Sequence, residues 1–259
     1  RIIGKICRKG MGLVNARLFR TASVVVANST AMVECARDVG AHNIRLVGTP
    51  IAKHFLSEPA PPLPGEFGAV LYAGRLAPEK NIGKVFDAAE AIPDVTFRIA
   101  GEGPQRRLVE EQARSLGNLE YLGWVTRSEM VGVLDKVDML VLPSKVESFG
   151  TVALEAMARG RLVLVSAGCG IRQWESLSEG IFHMQEGESV ADAVRRIRAL
   201  DPPTKEQTAR FARRSAEMLV NQTIDQWLDI FAGLSTRTFA VTSRSFSLRG
   251  LLRSLIRAR

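Results

Sequence analysis

Nearly continuous apolar runs alternate with longer amphipathic segments along most of the chain, which has 259 residues. Such runs indicate strands buried on both faces, and the segments between them have the apolar spacing of helices. The predicted strands lie at 23–28, 44–47, 69–73, 95–100, 119–122, 138–143, 161–166 and 181–184. The predicted helices lie at 30–39, 81–91, 104–116, 127–135, 150–159, 188–200 and 204–232. This order predicts an α/β fold, with a Rossmann-like, doubly wound parallel sheet covered by helices on both faces.

A proline-rich segment interrupts this alternation at 50–65. Five of its residues are proline, and proline is unfavourable in helix interiors and in central strands. The segment therefore predicts an extended linker and not a core element. The hydrophobic content of the whole chain, 46%, is normal for a globular protein that buries a core.

The cysteines and histidines give no sign of a metal centre. Cys7, Cys35 and Cys169 are scattered and form no C-x-x-C pair, which argues against a disulfide framework or a zinc site. The three histidines are also isolated from one another. We therefore expect no metal and no cofactor, and a protein that works in the reducing cytoplasm.

The net charge of +8 is concentrated at the two ends of the sequence. Residues 1–20 carry six Lys and Arg, residues 237–259 carry six Arg, and neither segment has an acidic residue, so the rest sums to −4. A mildly acidic body argues against a nucleic-acid-binding face. Residues 245–259 have apolar residues at helical spacing and arginines on the opposite side, which predicts an interfacial helix on an anionic membrane or, alternatively, a solvated or docking helix.

Cationic residues follow the predicted strand at 69–73, and parallel sheets bind ligands at the carboxyl ends of their strands. Gly74 and Arg75 come directly after this strand, and Lys80 lies just before the next helix. Gly74 allows a tight turn. The guanidinium of Arg75 and the ammonium of Lys80 can both bind the oxygens of a diphosphate. Two solvated loop cations are the alternative interpretation.

Two carboxylates flank the start of the helix that follows strand 138–143. The first N–H groups of that helix form an anion site, and Gly150 lets a phosphate approach the backbone. Glu147 can accept hydrogen bonds from sugar hydroxyls, with helix capping as the alternative. Glu155 lies in an apolar helix where an unpaired carboxylate is costly, so we expect it to bind the two hydroxyls of a ribose. Cations and carboxylates together predict a nucleotide-sugar as ligand.

Three further loops at strand ends are expected to line the same cleft. Gly101 lies in a G-E-G turn that lacks the third glycine of a dinucleotide fingerprint. Backbone groups near Val125 are expected to meet the edge of a base, and Trp124 beside it is equally well a core residue. The G-C-G turn at 168–170 is either a backbone contact to the ligand or an ordinary turn.

Together these residues resemble the retaining glycosyltransferase family four, whose members have the GT-B fold. The resemblance covers about residues 21–232. Its most specific part, E-S-F-G-T-V-A-L-E-A-M-A-R-G at 147–160, matches the E-x7-E motif of the family, and G-R-L-A-P-E-K at 74–80 matches its donor-phosphate motif. The resemblance implies catalytic roles for Arg75, Lys80 and Glu147, and donor binding by Gly74, Gly101, Val125, Ser148, Phe149, Gly150, Thr151 and Glu155.

The resemblance also implies how the chain is divided. The expected parts are the truncated end of an amino-terminal acceptor domain at 1–50, an interdomain linker at 51–65, a donor-binding Rossmann-like domain at 66–200, a terminal helix that packs back at 201–235, and a basic amphipathic tail at 236–259. Because most of the acceptor domain is missing from such a chain, we expect it to be inactive alone.

The resulting hypothesis is a hexosyltransferase of cell-envelope glycolipid or polysaccharide synthesis. It would transfer a sugar from a nucleoside-diphosphate donor to an acceptor hydroxyl with retained anomeric configuration. The expected partners are the nucleotide-sugar, a sugar or lipid-linked acceptor, and the anionic inner face of the cell membrane. The alternative is a non-catalytic nucleotide-sugar-binding module or a membrane-associated partner subunit, and sugar transfer by the intact protein would separate the two.

Overall fold

A computed structural model of the chain describes residues 17–57, 59–63 and 65–238. These residues fall into two compact units. The first contains the described residues up to Pro50 and from Val220 onward, and the second runs from Ile51 to Leu219. The interfacial helix predicted at 245–259 lies outside the described residues.

The first unit contains a small parallel sheet with one helix between its strands. Strand β1 (Val25–Ala27) is followed by helix α1 (Thr30–Asp38) and strand β2 (Ile44–Leu46). The hydroxyl of Ser29 caps α1 by accepting a hydrogen bond from the N–H of Met32. The sequence pattern predicts these two short strands and the amphipathic helix between them. In the structure each element ends one residue earlier than predicted, and β1 also begins two residues later.

The second unit is built around six strands, and every pair of neighbours is parallel. Its strands are β3 (Ala69–Ala73), β4 (Thr96–Ala100), β5 (Leu119–Gly123), β6 (Met139–Leu142), β7 (Leu162–Val165) and β8 (Phe182–His183). Its helices are α2 (His54–Ser57), α3 (Gly83–Ala91), α4 (Arg106–Ser115), α5 (Arg127–Leu134), α6 (Thr151–Ala158), α7 (Val190–Arg198) and α8 (Pro202–Thr238), which continues into the first unit. The predicted doubly wound parallel sheet is confirmed.

The strands of this sheet lie in the order β5-β4-β3-β6-β7-β8. All residues of the central strands β6 and β7 are buried, because helices cover both faces, whereas the edge strand β5 is partly exposed. The strand order reverses between β3 and β6. A reversal of this kind opens a crevice at the carboxyl ends of the two strands, where ligands of such sheets bind.

The proline-rich segment is not extended throughout. His54–Ser57 form the short helix α2, and the side chain of Phe55 within it is fully buried. The expectation of an extended segment without core residues is therefore wrong over this helix. Phe55 contributes apolar area to the core, and burial of a phenylalanine stabilises a fold by about 2 kcal/mol.

Helix α8 is the longest element of the described chain, with 37 residues. It begins two residues before the predicted helix and ends later. In the described ranges, no helix combines the length and the apolar character that a bilayer-spanning segment needs.

Candidate functional site

The strand order brings Lys80 and Glu147 together at the crevice between β3 and β6. The Nζ atom of Lys80 donates a hydrogen bond of 2.6 Å to Oε2 of Glu147, and a second of 3.3 Å to the carbonyl of Val146. Both side chains are largely buried, with 15% of Lys80 and 22% of Glu147 exposed. The two groups that the sequence analysis placed at different strand ends thus form one ion pair.

The loops after β3 and β6 are joined by their backbones as well. The N–H of Lys145 donates to the carbonyl of Glu79 at 2.8 Å, and Nδ2 of Asn81 donates to the carbonyl of Pro143 at 3.2 Å. Asn81 has a left-handed backbone with φ 57°. The sequence analysis missed Asn81, although asparagine between a short turn and a helix is the usual non-glycine residue for this conformation.

Arg75 is exposed, and its guanidinium makes no hydrogen bond or ion pair with any residue of the described ranges. Its backbone is fixed, because the hydroxyl of Tyr72 donates to the Arg75 carbonyl at 2.9 Å. Tyr72 is buried, and burial, followed by the nearby charge of Glu147, raises the pKa of its phenol far above the usual value. The phenol therefore stays protonated and keeps donating to the Arg75 carbonyl, which holds the end of β3, while the Arg75 guanidinium remains available to bind a ligand.

Gly101 and Gly74 lie where the loops after β4 and β3 touch. A side chain on Gly101 would collide with the carbonyl oxygen of Gly74, and Gly101 has φ 135°. The N–H of Leu76 also donates to the carbonyl of Glu102 at 2.8 Å. Gly101 is therefore required for loop packing, as expected of a tight turn, and its contact with a phosphate stays a prediction.

The start of α6 leaves its backbone donors open. Gly150 precedes the helix with φ 96°, no side chain caps the first turn, and the first turn has no acidic residue. Within the described ranges, nothing accepts a hydrogen bond from the N–H groups of Phe149, Gly150 and Thr151. Three free N–H groups at a helix start attract an anion.

The side chains around this helix start have different environments. Phe149 is buried and packs edge-on against Trp174 at 6.0 Å between ring centres, so only its backbone can meet a ligand. Ser148 is exposed and Thr151 is partly buried. Their placement is compatible with the predicted donor contacts, and the roles themselves stay predictions.

The loop after β7 supports Glu147 from the other side. The N–H of Glu147 donates to the carbonyl of Gly168, and its carbonyl accepts from the N–H of Gly170, both at 2.9 Å. Cys169 between these glycines is buried, and burial raises the pKa of its thiol. The N–H of Gly170 is thus used within the protein, which favours the interpretation of this turn as a support for Glu147.

Glu155 lies one turn inside α6 and is partly buried. No described residue forms a hydrogen bond or ion pair with its carboxylate. Burial raises the pKa of Glu155 to about 7, and the positive charge of Arg127 counteracts this only in part. The structure therefore contains the costly, unpartnered carboxylate that the apolar helix predicts.

Val125 is partly buried beyond the end of β5, and Trp124 next to it is 71% exposed. The interpretation of Trp124 as a core residue is therefore wrong. The hydroxyl of Thr126 caps α5 by accepting from the N–H of Glu129, which fixes this loop. Contact between the Val125 backbone and a base stays a prediction.

Among the residues that the structure describes, no group of three or more His, Cys, Asp or Glu could hold a metal ion. The groups around the crevice are the Arg75 guanidinium, which no described residue pairs, the Lys80–Glu147 pair and the open N–H groups at the start of α6, with Glu155 one turn further along that helix. This set can bind a polyanion together with hydroxyl groups.

Proteins of known activity resemble this chain in sequence. The family model for glycosyl transferases group 1 matches residues 57–217. A glycogen synthase of Mycobacterium tuberculosis is 36% identical over an alignment of 162 residues that covers 56% of this chain and 37% of that protein. A GDP-mannose-dependent alpha-(1-6)-phosphatidylinositol dimannoside mannosyltransferase of the same organism is 32% identical over an alignment of 158 residues that covers 59% of this chain and 40% of that protein. The chain thus spans about two fifths of the length of these relatives.

Solved structures resemble the fold more extensively. Sucrose-phosphate synthase from Thermosynechococcus elongatus superposes with a TM-score of 0.71 at 23% identity, over 87% of this chain and 62% of that one. HepE from Anabaena, in complex with UDP and glucose, superposes with a TM-score of 0.67 at 22% identity, over 82% of this chain and 64% of that one. At these identities the likeness establishes the fold alone, and it confirms the Rossmann-like α/β architecture.

Proposed function

The chain belongs to the glycosyl transferases group 1 family, and from this membership we propose that it transfers a sugar from a nucleoside-diphosphate donor to an acceptor hydroxyl. One observation carries the proposal. The Lys80–Glu147 ion pair lies at the reversal of the strand order, with Lys80 in the segment after β3 and Glu147 in the loop that leads into the uncapped start of α6. A cation, a carboxylate and open N–H groups at that position suit a diphosphate linked to a sugar.

The proposed binding mode divides the donor among these groups. Arg75 and Lys80 bind the diphosphate oxygens, together with the N–H groups of Phe149, Gly150 and Thr151. Glu147 accepts hydrogen bonds from the sugar, and Glu155 accepts them from the ribose. The mannosyltransferase relative, whose name includes GDP-mannose, and the HepE complex, which contains UDP and glucose, support a nucleotide-sugar donor.

The remaining predicted donor contacts are made by backbone groups and one hydroxyl. Gly74 and Gly101 lie where two loops pack closely, so their backbones can border the diphosphate. The Val125 backbone is proposed for the base, and the exposed Ser148 hydroxyl for a donor oxygen.

The proposed reaction breaks the bond between the anomeric carbon and the diphosphate while the acceptor oxygen bonds to that carbon. Negative charge grows on the departing diphosphate, and Arg75, Lys80 and the open N–H groups of α6 stabilise it. The proton of the acceptor hydroxyl leaves with the diphosphate, directly or through water. Following the resemblance to a retaining family, we propose that the anomeric configuration is retained, with the acceptor oxygen bonding to the face of the sugar that the diphosphate leaves. We propose no covalent enzyme intermediate, because the Glu147 carboxylate is already paired with Lys80.

The acceptor class is proposed from the relatives and the sequence together. The mannosyltransferase relative acts, by its name, on a phosphatidylinositol dimannoside, which supports a glycolipid acceptor. An envelope polysaccharide as acceptor and a place at the inner face of the membrane are further parts of the proposal. Most of the two basic segments that would meet an anionic membrane, residues 1–16 and 239–259, lies outside the described residues, and that contact stays a prediction.

Calorimetric titration with UDP-glucose and GDP-mannose tests the donor site. Arg75→Ala and Lys80→Ala should each weaken donor binding at least about tenfold, because each removes a cation from the diphosphate. Lys84→Ala is the matched control, since Lys84 is an exposed cation on α3, one turn beyond Lys80, and it should bind as the parent does.

Arg75→Ala and Lys84→Ala should keep the parental melting temperature, because the guanidinium of Arg75 has no partner in the described ranges and Lys84 is exposed. Lys80→Ala should lower the melting temperature, because it leaves the largely buried Glu147 carboxylate without its cation, so its donor affinity is compared at a temperature where the variant is folded. The proposal is wrong if the parent chain binds neither donor, or if both site variants bind with parental affinity.

A further inference from the structure

The ion pair between Lys80 and Glu147 also bears on the product of the proposed reaction. We propose that Glu147, by competing for the Lys80 ammonium, makes the site prefer an intact nucleotide-sugar over the free nucleoside diphosphate and so speeds product release. This inference rests on the proposed function, and it assigns to Glu147 a role in discrimination in addition to sugar binding.

The geometry makes Lys80 a shared cation. Its Nζ atom already donates to Glu147 Oε2 at 2.6 Å and to the Val146 carbonyl at 3.3 Å, which occupies two of its three hydrogens. With 15% and 22% of the two side chains exposed, water competes little with the pair. A diphosphate that binds Lys80 must therefore share the ammonium with Glu147 or displace it.

Glu147 cannot move away from an incoming anion easily. Hydrogen bonds from its N–H to Gly168 and from the Gly170 N–H to its carbonyl hold the backbone on both sides. Lys80 is held as well, because it ends a short helical turn whose next residue, Asn81, donates to the Pro143 carbonyl. The carboxylate charge is thus a fixed property of the diphosphate site.

A free diphosphate and an intact donor interact with this fixed charge in opposite ways. The free nucleoside diphosphate carries about one negative charge more than the sugar diester, because its terminal phosphate has a second ionisable oxygen whose pKa is about 6, and it offers Glu147 no hydrogen-bond donor. The sugar of the intact donor offers hydroxyl groups that donate to the carboxylate. Glu147 therefore repels the product and attracts the substrate.

Glu147→Gln separates these two effects in a titration of UDP against UDP-glucose and of GDP against GDP-mannose. The variant should bind the nucleoside diphosphate about fivefold more tightly, since Lys80 is released and one negative charge is lost. It should bind the corresponding nucleotide-sugar several-fold less tightly, because an amide is a weaker acceptor for hydroxyl groups. The ratio of the two dissociation constants is the quantity that the inference predicts.

Two further variants distinguish an effect of the Lys80–Glu147 pair from the effect of removing any nearby negative charge. Glu79→Gln removes the carboxylate next to Lys80 in sequence, which makes no ion pair with a described residue, and it should leave the ratio near the parental value. In a Lys80→Gln background, Glu147→Gln should increase the affinity for the nucleoside diphosphate by less than fivefold, because the ammonium that the substitution would release from Glu147 is already absent.

The outcomes separate this inference from the proposed function. Parental binding of both ligands with an unchanged ratio in Glu147→Gln overturns the inference alone, as does a loss of affinity for both ligands. If the parent chain binds none of the four ligands, the proposed function and the inference are both overturned. If Glu147→Gln does not fold, Lys80→Ala decides, because it leaves the Glu147 carboxylate without its cation. Affinity for the nucleoside diphosphate should then fall more than affinity for the nucleotide-sugar, and equal losses for the two ligands would overturn the inference.

Discussion

At the scale of single residues, Glu155 has the most unusual electrostatic environment among the proposed donor ligands. Burial in α6 raises its pKa from 4.5 to about 7, and the positive charge of Arg127 offsets this only in part. A folded-state pKa above the unfolded value means that the native protein binds the proton more tightly. The stability associated with this proton is fully present below about pH 4.5 and is lost as the pH rises to about 7.

Glu155→Gln should remove this loss. We expect the variant to be more stable than the parent at pH 8 by the order of 1–3 kcal/mol, and to gain little at pH 4.5, because a neutral amide has no charge to desolvate. Urea unfolding at pH 4.5, 6 and 8 measures the difference.

Glu90→Gln is the control, since Glu90 is an exposed carboxylate on α3. The difference in free energy of unfolding between Glu90→Gln and the parent should not change between pH 4.5 and pH 8. A Glu155→Gln difference that is equally constant with pH would contradict the assignment of an ionised, unpartnered carboxylate.

At the scale of elements, two buried arginines hold the proline-rich segment against the end of α6. Arg159 is 1% exposed and forms a bidentate pair with Asp135, with both N–O distances 2.8 Å, and it donates to the carbonyl of Pro59 at 2.9 Å. Arg161, equally buried, donates to the carbonyls of Val137 and Pro61. A segment rich in proline has few N–H groups and cannot pair regularly with a strand, so its carbonyl groups need other hydrogen-bond donors. Here the guanidinium groups of the two arginines donate to them.

Arg159→Met should destabilise the chain by about 3–5 kcal/mol, because it leaves the partly buried Asp135 carboxylate and the Pro59 carbonyl without this partner. Guanidinium chloride unfolding measures the change. Arg210→Met is the matched control. Arg210 is 71% exposed and pairs with Glu206 across one helical turn, and a pair of this kind contributes at most about 1 kcal/mol. Equal stability of the two variants would refute an anchoring role of Arg159.

Most elements of the second unit could be predicted from the sequence, since their apolar runs are long and each is followed by a helical pattern. The helix at His54–Ser57 could not, because one apolar pair between prolines has no periodicity, and its stability depends on the burial of Phe55 in the tertiary fold. The burial of Arg159 and Arg161 could not be predicted from the sequence either. Arginines near the end of a helix usually lie in solvent, and the Asp135 carboxylate together with the Val137 and linker carbonyls explains the burial of these two.

At the scale of the whole molecule, the second unit carries both the family resemblance and the candidate site. It runs from Ile51 to Leu219, and the family model matches nearly the same residues, 57–217. The sequence predicted which strand ends carry polar groups. It did not contain the strand order, and that order joins Lys80 to Glu147 across 67 positions.

The tertiary fold also decides which predicted residues remain available. Arg75 and the N–H groups at the start of α6 are open, whereas the N–H of Gly170 is used to hold Glu147. Sequence patterns identify the residue types that suit a diphosphate, but hydrogen bonds between distant loops determine which of these groups are still free.

A crystal structure of the chain with bound UDP or GDP tests the central claim most directly, through the positions of the two phosphorus atoms. We predict that both phosphates lie at the carboxyl ends of β3 and β6, within hydrogen-bond distance of Arg75, Lys80 and the N–H groups of Phe149, Gly150 and Thr151. A diphosphate bound at the amino ends of the strands, or out of reach of all five groups, would contradict the account.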